Sequence, residues 1–241
     1  LDSQNNNMSW FKYAPMQAMM AKVQEQMEEL GAGTFGDATA YGTVNFFSPY
    51  GDTVELRYSP EDNDGVDAAG TGSIHGRLRQ LSQNATQSIF YLIDGWSSSA
   101  AQSNLRADIV ANNAIIVRGC GGETGAVSGF TTVQATAFEG DANGTHRSQI
   151  GAFNRIHDKT FIFDMEIVAT GSPNVTGAAM LTNTQNDEAH VIVHDFRLAR
   201  RYMSHYHKIM AEAVADPSSD GYDNTAPAGA TGSEAVDIKA V

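Results

Sequence analysis

The sequence predicts an α/β domain: a mixed sheet flanked by helices on both faces, with an extra N-terminal helix and a flexible C-terminal tail. Three observations carry that expectation. The chain has 241 residues, 41% of them hydrophobic, enough to bury one substantial core but not a second full domain. Helical and strand-like runs alternate through its middle, as in sheets that carry helices. The strand-like runs, such as Ile89-Phe90-Tyr91-Leu92-Ile93, are apolar at both parities, which suits strands covered on both sides. The resulting organisation is an N-terminal extension over 1–42, one main domain over 43–215, and a tail or linker over 216–241.

Leu1 to Met8 is polar and Asn-rich and reads as a frayed end. From Pro15 to Leu30 the residues Met16, Met19, Met20, Val23, Met27 and Leu30 recur at helical spacing, with Pro15 fit for the first turn and Gly31 for the cap. A Met-rich stripe suits an adaptable partner surface or lipid contact. Glu25, Glu28 and Glu29 on the opposite face disfavour an anionic membrane, so packing on the chain's own domain or on a second subunit is expected.

Thr43–Phe47 and Thr53–Tyr58 read as a hairpin around the turn Ser48-Pro49-Tyr50-Gly51, and the acidic run Glu61 to Gly72 as a loop. A helix from about Ser73, with Ile74, Leu78, Leu81 and Ala85 on one face, precedes the strand Ile89–Asp94. A helix over Ala100–Asn112 precedes the strand Ala114–Arg118. Gly119–Thr131 and Ala137–Ser148 read as loops near a substrate entrance. A strand over Arg155–Asp164, a short one over Val168–Thr170, and another over Ala189–His194 follow. The last helix, Phe196–Val214, buries Leu198, Tyr202, Tyr206, Ile209 and Met210, and Asp216–Val241 has the composition of a tail.

The net charge of −13, with ten arginines and five lysines, describes an acidic surface that disfavours tight polyanion binding unless cations are gathered locally. This composition fits a secreted or extracytoplasmic protein or one from a saline setting, and a first residue that is Leu rather than Met suggests a processed or trimmed product. The single cysteine, Cys120, excludes an intrachain disulfide and reads as a small residue at a strand end rather than a reactive thiol. No apolar run is long enough to span a membrane. Sequons at Asn84, Asn143 and Asn174 are expected to be unmodified. His190, His194, His205 and His207 scatter over a strand and a helix without metal-ligand spacing, so no metal or other cofactor is expected.

The chemistry concentrates between Asn154 and Glu188. In a strand over Arg155–Asp164, His157 and Lys159 share parity and hence a face, while Asp164 has the opposite parity and is expected to tie down the strand end. A neutral imidazole beside a fixed ammonium suits attack on a phosphodiester, the histidine forming a covalent bond while the lysine holds the anionic oxygens. Ser172 and Asn174 are placed to donate to the same oxygens. Glu188 is placed to accept from the second ring nitrogen of His157, fixing its tautomer. Each fragment alone is common: a His-x-Lys is usually a surface pair, and Gly-Ser-x-Asn is usually a turn.

Their ordered combination is specific. His157, Lys159 and Asp164 resemble the HxKxxxxD signature of the phospholipase D superfamily, whose members continue with a Gly-Ser-x-Asn turn, here Gly171-Ser172-Pro173-Asn174, and then Asn-x-Glu, here Asn186-Asp187-Glu188. Tyr58-Ser59-Pro60 also resembles the opening of the superfamily domain. The resemblance implies a phospholipase D-like catalytic domain over 43–215 and a metal-independent phosphodiesterase acting through a phosphohistidine, on phospholipid headgroups first and as a nuclease in the alternative. A non-catalytic binding or structural relative is the third reading, opposed by intact His157, Lys159, Asn174 and Glu188. The family site generally takes two such motifs, and only one is found here, since His75-Gly76-Arg77 lacks the lysine and falls in a predicted helix. A homodimer that faces two His157 motifs is therefore expected, or else a missing second motif-bearing half.

Overall fold

A computed structural model describes residues 4–5, 21, 24, 27–28, 44–47, 53–59, 73–95, 100–112, 115–121, 144–148, 155–180 and 188–212. In chain order these hold β1 (Gln4–Asn5), β2 (Val44–Phe47), β3 (Thr53–Ser59), α1 (Ile74–Asn84), β4 (Ser88–Ile93), α2 (Ala100–Ala111), β5 (Ile116–Gly121) and β6 (Gly144–Ser148). They continue with β7 (Arg155–Ile156), β8 (Lys159–Phe163), β9 (Ile167–Gly171), α3 (Gly177–Met180), β10 (Glu188–His194) and α4 (Phe196–Glu212). Eight strands form one sheet in the order β2-β3-β10-β9-β8-β4-β5-β6. The β4–β5 and β5–β6 pairs are parallel and the others antiparallel, so the sheet is mixed as expected.

Strand alternation divides the core in two. Ile89, Tyr91 and Ile93 of β4, with Phe161 and Phe163 of β8, pack on one face against Ile74, Leu78 and Leu81 of α1 and Leu105 and Ile109 of α2. Leu92, Ile162 and Val168 pack on the other face against Ala199, Tyr202, Met203, Tyr206 and Ile209 of α4. Helices thus cover both faces, and strands apolar at both parities have a physical reason. α1 starts where Ser73 accepts the Gly76 amide at its hydroxyl (2.9 Å), satisfying one of the unpaired first-turn donors.

Several expectations are corrected. β5 runs on to Gly121, where a loop was expected from Gly119; a Cβ at Gly119 would lie 2.2 Å from the Tyr91 ring, so glycine lets that ring lie against the strand. Within the predicted entrance loop, Gly144–Ser148 is β6, completed by parallel pairing with β5 rather than by its own polar sequence. In the predicted frayed end, Gln4 and Asn5 pair in parallel with Arg155 and Ile156. α4 ends at Glu212. Of the predicted N-terminal helix, Ala21, Gln24, Met27 and Glu28 are helical, and Met27 is 67% exposed, so at that position the apolar stripe does not pack on the chain's own core. The predicted tail over 216–241, the predicted loop over 61–72, and the parts of the two predicted entrance loops that fall within 122–143 lie outside the described residues.

Candidate active site

The sheet register brings one end of four strands together. Ile93, the last residue of β4, pairs with Lys159, the first of β8. Thr160 pairs with Thr170, and the next residue of β9, Gly171, pairs with His190 of β10. The segments leaving this end are therefore neighbours: Asp94-Gly95, His157-Asp158, Ser172 to Val175, and Glu188.

His157 and Lys159 meet there, but not by the predicted route. The strand is not continuous over Arg155–Asp164; it breaks at His157 and Asp158, between β7 and β8. The break is held by a bond from the Asp94 amide to the Asp158 carbonyl (2.9 Å) and by the fully buried Asp158 carboxylate, which lies 3.2 Å from His205 Nε2 of α4. Alternation therefore does not put His157 and Lys159 on one face. Instead Lys159 Nζ donates to the His157 carbonyl at 2.9 Å and lies 3.4 Å from Asp94 Oδ2. Burial pulls the Lys159 ammonium below its ordinary range, and Asp94, then Glu188 and Asp158, oppose that by their charges. The His157 side chain is half-buried.

Glu188 is buried at the head of β10. The Ser172 hydroxyl donates to Glu188 Oε2 and accepts from the Ala189 amide (3.0 Å), so its proton is turned to Glu188 rather than outward to a phosphate. Gly171 permits this, because a Cβ there would fall 2.1 Å from the Ala189 carbonyl. Asn174 accepts the Gly95 amide at Oδ1 (2.9 Å), and the Val175 amide returns to the Gly95 carbonyl (3.0 Å). That leaves Nδ2 as the Asn174 donor.

Asp164 stands at the far end of β8, in the left-handed region at φ 53°, with Met165 beside it at 58°. Its carboxylate accepts the amides of Thr86, Gln87 and Ser88 at 2.7–3.1 Å and the Thr86 hydroxyl at 3.1 Å. Burial pulls its pKa up, but the amides of Ser88, Thr86 and Gln87 outweigh this and hold it below the usual carboxylate range. The histidines weighed as a metal cluster are dispersed: His190 is buried, His194 lies 3.1 Å from Glu55, and His205 pairs with Asp158.

Residues 130–210, which carry the His157 motif, the Gly171 turn and Glu188, match the family model described as the phospholipase D-like domain of cardiolipin synthase. Over that segment, about a third of its length, the chain is similar to the phospholipase D-like domain. In structure it is similar to Nuc, a phospholipase D family member from Salmonella typhimurium, at 21% identity and a TM-score of 0.52, over 68% of this chain and 97% of that one. NucT from Helicobacter pylori has a TM-score of 0.52 at 17% identity, over 68% of this chain and 99% of that one. Phosphatidylserine synthase from Haemophilus influenzae has a TM-score of 0.51 at 12% identity, over 69% of this chain and 40% of that one. At these identities the structural likenesses speak to the phospholipase D fold alone. No curated protein matches the chain.

Around the superfamily motif the structure adds residues that sequence reasoning passed over: Asp94 and Gly95 from the end of β4, Asp158 inside the motif itself, and His205 from α4. One signal was present, since an aspartate that ends an apolar strand and an aspartate between two motif residues are both places where a charge is costly without a partner.

Proposed function

We propose that the chain is a phosphodiesterase of phospholipase D type that needs no metal and works through a phosphohistidine. The observation that supports this reading is the Lys159 ammonium, 2.9 Å from the His157 carbonyl. A fixed, buried cation held at the backbone of His157 offsets the negative charge that a phosphodiester gains in its transition state. A ring nitrogen of His157 attacks phosphorus, a P–N bond forms, and the P–O bond to the leaving group breaks. Glu188 accepts from the other ring nitrogen and fixes the tautomer, held in turn by Ser172. Asn174 and Lys159 hold the non-bridging oxygens. In a homodimer with two motifs facing one cleft, His157 of the partner subunit is an imidazolium that protonates the departing oxygen. As a neutral imidazole it then takes a proton from water, whose oxygen attacks phosphorus and frees the first histidine.

The net charge of −13 favours a phospholipid headgroup as substrate. A nuclease of the same chemistry is the second reading, favoured by the single compact motif and opposed by that charge. The test of the common chemistry is hydrolysis of a chromogenic phosphodiester in excess EDTA by the chain and by its His157→Ala variant. Turnover that survives chelation and vanishes in the variant is expected; unchanged turnover in His157→Ala would sink the mechanism.

A further inference from the structure

The outer face of α4 is the most basic surface among the described residues. Arg197, Arg200, Arg201 and Lys208 are all exposed on it, and Glu212 is the only acid in the helix, while the whole chain carries −13. At 100° per residue the four cations fall within about 100° of arc, and they span about 16 Å along the axis. Asp195 holds Arg197 at 3.0 Å, but among the described residues no carboxylate pairs with Arg200, Arg201 or Lys208. Phe196, 52% exposed, opens the row, with the Arg200 and Arg197 guanidinium carbons 5.4 and 5.9 Å from its ring centre.

Folding does not ask for this arrangement. Three arginines in the first two turns stand at the positive end of the helix dipole, where cations are unfavourable and acids are favoured. The helix is already anchored by its opposite face, through Ala199, Tyr202, Met203, Tyr206 and Ile209, and its start is already capped by Asp195, which accepts the Arg197 amide at 2.8 Å. The row is also close to the chemistry, because His205 of the same helix pairs with Asp158, the neighbour of His157.

We infer that the outer face of α4 docks the phosphate backbone of single-stranded nucleic acid, independent of base sequence. Arginines match phosphate oxygens in pairs, and an exposed aromatic ring offers a base a stacking face. A lipid surface fits less well. The helix's own apolar side is committed to the core, and among its described side chains Phe196 is the one large apolar residue exposed, so those side chains offer little apolar area to enter a bilayer.

This inference stands apart from the phosphodiesterase reading, and its test needs no turnover. Fluorescence anisotropy of a labelled, mixed-sequence single-stranded 20-mer is measured against the full chain carrying His157→Ala, which keeps the probe intact. The expected result is low-salt binding that weakens with a log–log salt slope of about −2 to −3, the value for three or four phosphate contacts on a single strand. Adding Arg200→Glu and Arg201→Glu is expected to weaken it about tenfold or more and to flatten the slope, while Arg106→Gln on α2 changes neither. Circular dichroism of the same variants checks that α4 remains folded. No binding, binding indifferent to the Arg200 and Arg201 changes, or binding through them to phosphatidylglycerol vesicles but not to the oligonucleotide would overturn the inference. Loss of chromogenic turnover in the wild-type chain would bear on the proposed function alone.

Discussion

Lys159 carries its charge in a buried place because carboxylates on separate segments hold it there, Asp94 foremost. Replacing Asp94 by Asn keeps the shape and removes that charge, so the Lys159 pKa falls further. The alkaline limb of the kcat/KM profile is expected to move down by about one pH unit, measured on the chromogenic diester. An unmoved limb would mean that Lys159 does not need Asp94. The pair behind the motif titrates in the other sense. Its hydrogen bond to Asp158 raises the His205 pKa against burial, so the charged pair stabilises fully below the ordinary histidine value and is lost as pH rises through the raised one. Thermal unfolding of the wild type is expected to show that loss, and Asp158→Asn to abolish the step; parallel Tm–pH curves would refute it. His157 and Lys159 were legible in the sequence because their chemistry is local. Asp94 and His205 were not, because they lie 65 and 47 residues from Lys159 and Asp158, and nothing in a one-dimensional pattern brings them near.

At the scale of elements, the two ends of the β8–β9 hairpin have different tasks. Asp164 fixes the far end by binding three successive amides between α1 and β4, so the motif strand and β4 stay in register. Asp164→Ala removes these charge-assisted bonds and gives a residue less tolerant of positive φ. A loss of about 2–3 kcal/mol is expected, or roughly 5–10 °C in Tm, with Asp164→Asn milder because it keeps the left-handed tolerance. The near end depends on Gly171, where a methyl group would meet the Ala189 carbonyl at 2.1 Å. Gly171→Ala is expected to push β9 from β10, cost about 1–3 kcal/mol, and lower kcat more than stability alone explains, because Ser172 and Glu188 move with the strands. Wild-type kcat and Tm in that variant would contradict the packing account. Both tasks were half visible: opposite parity set Asp164 apart from the site, and Gly-Ser-x-Asn announced a turn. The break at His157-Asp158 was hidden, because alternation cannot foresee a strand interrupted by the Asp94 amide and a buried carboxylate.

At the scale of the molecule, the helix–strand alternation foretold the layers but not the strand order, since β10 sits between β3 and β9 by pairings far apart in sequence. β6 was missed for the same reason, as its strand character comes from β5. The proposed reaction needs a nucleophile and an acid, and the sequence carries one motif. A two-fold homodimer supplies both from one sequence, because its axis faces identical patches. That arrangement has a quantitative consequence. When wild-type and His157→Ala chains are mixed, dissociated and reassembled at random, only dimers with two intact histidines turn over at the full rate. Activity is then expected to fall as the square of the wild-type fraction, and sedimentation to give twice the monomer mass at every ratio. A linear fall would show that each chain works alone, and a monomer mass with full activity would place the acid within the same chain. The square law tests the facing of two motifs directly, since folding defects in the variant would leave independent wild-type sites in simple proportion to their number.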